Sequence, residues 1–362
     1  MWKKALYFLV FAGAGYGVGA LVGKTVKGSL KLGADPVWLW SLPLVIFLVL
    51  LAHELGHVFG GKLVGFDFHL LAVGPLRIDA RPEGWNWSFN RSLGLWGGVA
   101  ATVPDPNAGA GLNDLPRRML WMVAGGPLAS LAGVLIGLPL AYLAGPGPLW
   151  LVAGMFAFLS GAILLATAIP QSLGQFKSDG QRILELLRGG REAERWCALS
   201  AVSALAAKQR PREWPAETME RATAFDDDSY DGVAAAWLRH SWHLDRREME
   251  QARVWMERAL AKVECWPAAA RGLIYASATY FYAMEAPEVE KARRYFELAK
   301  GQGFLPAEGK ALAEAALACA NGEFAKAKEL TARGQRWAEK QPGTAGEAMR
   351  EYFALIEARA GH

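Results

Sequence analysis

The residues that could do chemistry are His53-Glu54-Leu55-Gly56-His57. On a helix, side chains four apart lie on one face with Cβ atoms roughly 5–6 Å apart, so His53 and His57 can each turn a ring nitrogen toward one metal ion. Glu54 sits one position round. Two neutral imidazoles as ligands and a carboxylate to accept a proton from water are the parts of a zinc hydrolase. The pentad closes an apolar run that begins near Val37 and reads Val-Ile-Phe-Leu-Val-Leu-Leu-Ala just before it. Ionisable groups at membrane depth each cost on the order of a few kcal/mol and by default mark a functional site. The same three residues are also compatible with an interfacial polar cap without metal, but ionisable groups in an otherwise apolar segment favour the metal reading.

The elements that must hold this pentad follow from composition. With 52% hydrophobic residues and a mean hydropathy of +0.12, the 362-residue chain is too apolar for an ordinary soluble protein. The apolar, Gly-rich character sits in the first half, while Lys, Arg and Glu fill the second, so a membrane part and a soluble part are expected. A net charge of +4 is small for this length and gives no case for nucleic acid. The basic residues flank the apolar runs, where they set topology. Cys197, Cys265 and Cys319 are the three cysteines. Their odd number and wide spacing argue against a disulfide framework and a zinc knuckle, and for free, buried thiols in a reducing compartment.

Four apolar runs are apparent. The first, from Ala5 to about Val22 after Met1-Trp2-Lys3-Lys4, reads as a retained anchor rather than a signal peptide, giving an N-terminal anchor helix and loop over 1–36. The second runs from about Val37 to Phe59, the third from about Met119 to Leu143 and the fourth from about Pro148 to Ile169. The uncharged turn Ala144-Gly145-Pro146-Gly147 is expected outside, with Lys62, Arg117-Arg118 and the chain after Ile169 facing the cytoplasm. Lys24, Lys27 and Lys31 run against that rule for the first segment. Between the second and third runs, Leu76 to Arg81 alternates with period two, Pro82-Glu83-Gly84 turns, and Trp85 to Phe89 alternates again, a β-hairpin with Trp85, Trp87 and Phe89 on one face. Those aromatics suit the headgroup level of a bilayer. The hairpin edge could hold an unwound substrate strand or simply plug the domain. Ala124 to Ser130 reads as small residues that let helices approach closely. Ser178 or Asp179 is expected to cap a helix continuing to about Leu187.

These pieces together resemble the site-2 protease family of intramembrane zinc metalloproteases. The resemblance rests on His53-Glu54-Leu55-Gly56-His57 on a membrane helix, on Gly125-Gly126-Pro127-Leu128-Ala129 on the next, and on the segment from Pro170 to Asp179-Gly180. It covers roughly Val37 to Leu187. It implies that Asp179 is the third zinc ligand beside His53 and His57, that Glu54 is the catalytic base, and that a β-structured insert spans about 66–103. The family often has Asn where this chain has Ser130 and Thr167. Asp67 and His69, expected in a polar turn after the motif helix, are the substitutes should Asp179 not reach the ion.

Beyond Leu187-Arg188-Gly189-Gly190-Arg191 the pattern is helical. Gln251-Ala252-Arg253-Val254-Trp255, Lys291-Ala292-Arg293-Arg294-Tyr295 and Lys326-Ala327-Lys328-Glu329-Leu330 recur at about 35–40 residues, a spacing that resembles a tetratricopeptide-type solenoid and implies a surface for peptides or partner proteins. His240 and His243 lie nearby and are assigned no role. The sequence therefore predicts a mainly α protein: a polytopic membrane helix bundle with a small β-hairpin insert over 37–190, then a soluble α-helical repeat domain over 191–362. The function expected is a cell-membrane, multi-pass zinc endopeptidase with one Zn²⁺ per chain and a cytoplasmic C-terminal domain. It would cleave a transmembrane or membrane-associated protein near the cytoplasmic face, with a protein partner on the repeats. The alternative is a catalytically inactive membrane scaffold that binds partners through the repeats. A metal carrier using the same residues is a further rival.

Overall fold

The structure is a computed structural model. It describes residues 37–81, 84–90, 97–105, 114–173, 176–301, 305–341 and 343–361. The anchor expected over 1–36 lies outside the described residues. The described residues are mostly helical, with a small four-stranded antiparallel sheet and a two-stranded one. Three helices, α1 (Val37–Leu63), α2 (Leu115–Ala144) and α3 (Pro148–Ala168), are long and apolar enough to cross a membrane. At 1.5 Å per residue even the 21 residues of α3 reach about 31 Å, the thickness of a hydrocarbon core. They carry exposed Leu44, Leu135, Ile136 and Leu165, a surface that water penalises and lipid accommodates.

Contacts divide the described residues into two compact units, 37–53 with 128–165, and 54–127 with 166–361. In the first, α2 and α3 meet along a seam of small residues. A Cβ on Gly133 would stand 2.6 Å from Ser160 Oγ, and one on Gly137 would stand 2.9 Å from the Cβ of Ala157. Close backbone approach of this kind holds apolar helices together where lipid removes the hydrophobic drive.

The second unit begins with a four-stranded sheet, β1 (Phe66–Val73), β2 (Leu76–Arg81), β3 (Gly84–Phe89) and β4 (Val99–Pro104), in the order β3-β2-β1-β4. The expected hairpin is β2–β3, with Ile78 opposite Trp87 and Ala80 opposite Trp85. Trp85, Trp87 and Phe89 are all exposed. β1 pairs antiparallel with both β2 and β4. Asp67 and His69, expected in a turn, lie on β1 instead, because Phe66, Leu71, Ala72 and Val73 are buried and draw the whole segment into the sheet.

After α3 come a two-stranded hairpin, β5 (Ser172–Leu173) and β6 (Phe176–Lys177), and ten helices: α4 (Asp179–Arg188), α5 (Arg191–Ala206), α6 (Ala216–Ala222), α7 (Tyr230–Asp245), α8 (Met249–Ala261), α9 (Arg271–Tyr280), α10 (Val289–Lys300), α11 (Ala307–Ala320), α12 (Phe324–Ala338) and α13 (Ala345–Gly361). The recurring sequence segments fall on α8, α10 and α12, and their alanines Ala252, Ala292 and Ala327 are fully buried. Two cations, Arg210 buried and Arg182 partly so, organise this region. Arg210 donates to Asp245 at 2.7 Å and to Glu351 at 2.7 Å, clamping the end of α7 to α13. Its hydrogen bonds to Glu351 and Asp245 push its pKa further up, and Arg210 in turn holds Glu351 below the usual carboxylate range. On α4, Arg182 reaches Asp231 of α7 at 3.0 Å and lies over the Trp196 ring of α5. All three cysteines are free; Cys197 and Cys319 are buried and Cys265 partly so. Burial pushes the Cys197 thiol up to about 12, which leaves it inert at neutral pH.

Candidate metal centre

The motif helix is placed by glycine. A Cβ on Gly125 of α2 would stand 2.1 Å from the Gly56 carbonyl oxygen, and one on Gly60 would stand 2.6 Å from the Trp121 carbonyl oxygen. Only residues without side chains let α1 and α2 cross backbone to backbone here. This brings the Met122 carbonyl to 3.1 Å from His57 Nδ1. A carbonyl only accepts, so Nδ1 carries the proton and Nε2 keeps a lone pair for a metal. His53 Nδ1 lies 2.9 Å from Ser130 Oγ, which likewise leaves Nε2 for the ion. His53 and His57 stand four apart on one unbroken helix, so the expected spacing is the observed one.

Asp179 is delivered by its neighbours. Ser178 Oγ donates to the Ile169 carbonyl at 2.8 Å and accepts from the amides of Gln171 and Gln181 at 3.1 and 3.2 Å. Ser178 is thus the N-cap of α4, and Asp179, the first helical residue, is released from that task. A Cβ on Gly180 would stand 1.9 Å from the Ala168 carbonyl oxygen, so glycine allows α4 to start hard against the end of α3. Lys177 pairs with Glu185 at 2.8 Å and with Glu192 at 3.1 Å, which engages its charge there.

Asp179 Oδ2 stands 3.6 Å from His57 Nε2. His53, His57 and Asp179 each offer one ligand atom, and these atoms lie within 4.8 Å of one another. Ligands at about 2.0–2.2 Å around a tetrahedral zinc are about 3.4 Å apart, so the His57–Asp179 pair is already at that separation and a modest contraction completes the set. Two nitrogens and one carboxylate oxygen fit a zinc site with an open position. The group can hold a metal ion.

Glu54 is buried. The chain entering β4 lies directly on its carboxylate: a Cβ on Gly98 would stand 2.6 Å from Oε1, and Gly98 has a φ of +107°. That backbone angle demands glycine. Sequence reasoning missed Gly98 and Met122 and read Ser130 as packing, since nothing local marks a serine as a histidine's partner. Thr167 Oγ1 is buried without a hydrogen-bond partner among the described residues. The substitutes do not join the trio: the Asp67 carboxylate is 3.8 Å from Lys208, and neither it nor His69 belongs to the metal-capable group. Nor do His240, bound through Nδ1 to the Ala252 carbonyl at 2.8 Å, and His243, paired with Glu248. No protein-family model, curated protein or solved structure matches this chain.

Proposed function

We propose that the chain is an intramembrane zinc endopeptidase, similar to the site-2 proteases, that cleaves a transmembrane or membrane-associated protein near the cytoplasmic face. The observation that carries this reading is the meeting of Asp179 with His53 and His57, on a helix apolar enough to cross a membrane. When bound, a divalent ion there would supply Lewis acidity, polarising a peptide carbonyl and lowering the pKa of a water toward about 7. Glu54 accepts the proton of the attacking water and returns it to the leaving amine. The Gly98 backbone passes close beside the Glu54 carboxylate, which limits where that carboxylate can swing. A helix hides its carbonyls in hydrogen bonds, so the substrate is locally unwound at the scissile bond.

Topology supports a cytoplasmic site. Lys62, Arg117 and Arg118 cluster where α1 ends and α2 begins, whereas the turn between α2 and α3 is uncharged. The exposed aromatic row of β3 suits the headgroup layer. The buried alanines of α8, α10 and α12 support a helix-pair repeat region, which offers a surface for substrate or a regulator.

Metal analysis and membrane proteomics test the reading. Purified native chain is expected to carry about one zinc; Asp179→Ala and His57→Ala lose it; Glu54→Gln keeps it. Cells carrying Glu54→Gln accumulate an uncut membrane protein that native cells process. A native chain free of zinc overturns the reading, as do identical membrane proteomes. Zinc bound with transport intact in Glu54→Gln identifies a metal carrier, and function intact in Asp179→Ala identifies a scaffold.

A further inference from the structure

Where α1 ends and α2 begins, a cavity of about 360 Å³ opens between them. It lies within one compact unit and is separate from the metal-capable trio. Its lining is mixed in chemistry. Arg117, Arg118 and Asp114 are its charged lining, and Leu63, Val64 and Trp121 its apolar lining. Arg118 is buried and held in place: Nε donates to the Val64 carbonyl at 2.8 Å, Nη2 donates to the Gly65 carbonyl at 3.0 Å, and the guanidinium lies over the Phe66 ring. Those bonds engage two of its five N–H donors and immobilise a full positive charge at the cavity wall. Arg117 is exposed and makes no hydrogen bond or ion pair with any described residue. Two guanidiniums against one carboxylate leave a net positive cavity.

Leu63 and Trp121 are both more than half exposed. They stand at the shared end of two helices able to cross a membrane, the level at which lipid headgroups meet indole rings and arginines. A guanidinium fork matches two oxygens of a phosphate, which a carboxylate-poor, half-apolar pocket would otherwise leave without counter-charge. We infer that this cavity binds a phosphate-bearing anion, gripped by Arg117 and Arg118, drawn from an anionic phospholipid headgroup or from solution.

The test uses the full chain in nanodiscs of phosphatidylcholine with and without phosphatidylglycerol, with retained lipid counted by native mass spectrometry and inorganic phosphate titrated separately. Arg117 is solvent-exposed, so Arg117→Gln folds, and its melting temperature checks this. Native chain is expected to retain phosphatidylglycerol over phosphatidylcholine, and Arg117→Gln to lower that retention about tenfold, the loss of one charge-assisted contact of about 1.4 kcal/mol. Lys62→Gln removes a cation from the same helix end but outside the cavity, and costs only the few-fold share of any juxtamembrane charge. Trp121→Ala weakens phosphatidylglycerol retention and spares inorganic phosphate if lipid is the source. Phosphate binding without lipid preference identifies the soluble source. Equal losses in Arg117→Gln and Lys62→Gln overturn the site, as does a native chain that neither prefers phosphatidylglycerol nor binds phosphate.

Discussion

A metal-binding histidine has two nitrogens, and the one that does not touch the ion decides where the other points. His57 has its far nitrogen fixed by a carbonyl of α2, and His53 has its own beside the Ser130 hydroxyl. Removing that hydroxyl leaves the His53 ring free to turn. Ser130→Ala is expected to weaken zinc binding about 10–100-fold, read by chelator competition on the purified chain, with Ser130→Thr close to native. Unchanged affinity in Ser130→Ala would mean that packing alone orients His53. At this scale the sequence is legible only where chemistry is local. Two histidines four apart share a helix face whatever surrounds them. Asp179 differs, because serine and aspartate are both good caps and the pair Ser178-Asp179 does not say which one caps. The fold decides: Ser178 satisfies the orphan amide of Gln181, and the carboxylate goes to His57.

Helices that cross on glycine have no side chains to absorb an error. Gly125→Val places its first carbon well inside van der Waals contact distance of the Gly56 carbonyl oxygen, and α1 and α2 must separate to admit it. Overpacking of this kind typically costs about 1–3 kcal/mol, and here it also carries the Met122 carbonyl away from His57. A lower melting temperature in detergent together with reduced zinc content is the expected result; full zinc content would show that the crossing does not position His57. The small residues of Ala124 to Ser130 announce close packing in the sequence but not which helix they meet. The sheet was half legible for a similar reason. β2 and β3 alternate on either side of Pro82-Glu83-Gly84 in the sequence, so a short window reveals them. β1 reads Phe-Asp-Phe-His-Leu-Leu-Ala-Val without clean alternation, and its partner β4 begins at Val99, a pairing that no local window contains.

At the scale of the whole molecule, the contrast between an apolar half and a charged half was plain in composition, and the three long apolar helices and the helical second half follow it. Less visible was how much the helical region relies on buried polar groups. Burial pushes His240 down to about 4, while in an unfolded chain it titrates near 6.5. Between those values the unfolded state binds more protons than the folded one, so stability falls as pH falls from about 6.5 to about 4 and is insensitive to this group above that window. The expected loss is on the order of a few kcal/mol. The drop in melting temperature between pH 7 and pH 5 should therefore be larger for the native chain than for His240→Asn, whose amide can keep the bond to Ala252. Equal drops would show that the proton is taken up elsewhere. A last consequence concerns Arg182, three residues past Asp179 and tied to Asp231 and Trp196. Cutting the chain after α4 would remove both moorings of the helix that presents Asp179. A shortened protein that fails to bind zinc would therefore report a lost tether, not a lost docking platform, and point substitutions on the outer surface of the helical half are the cleaner way to ask what it recruits.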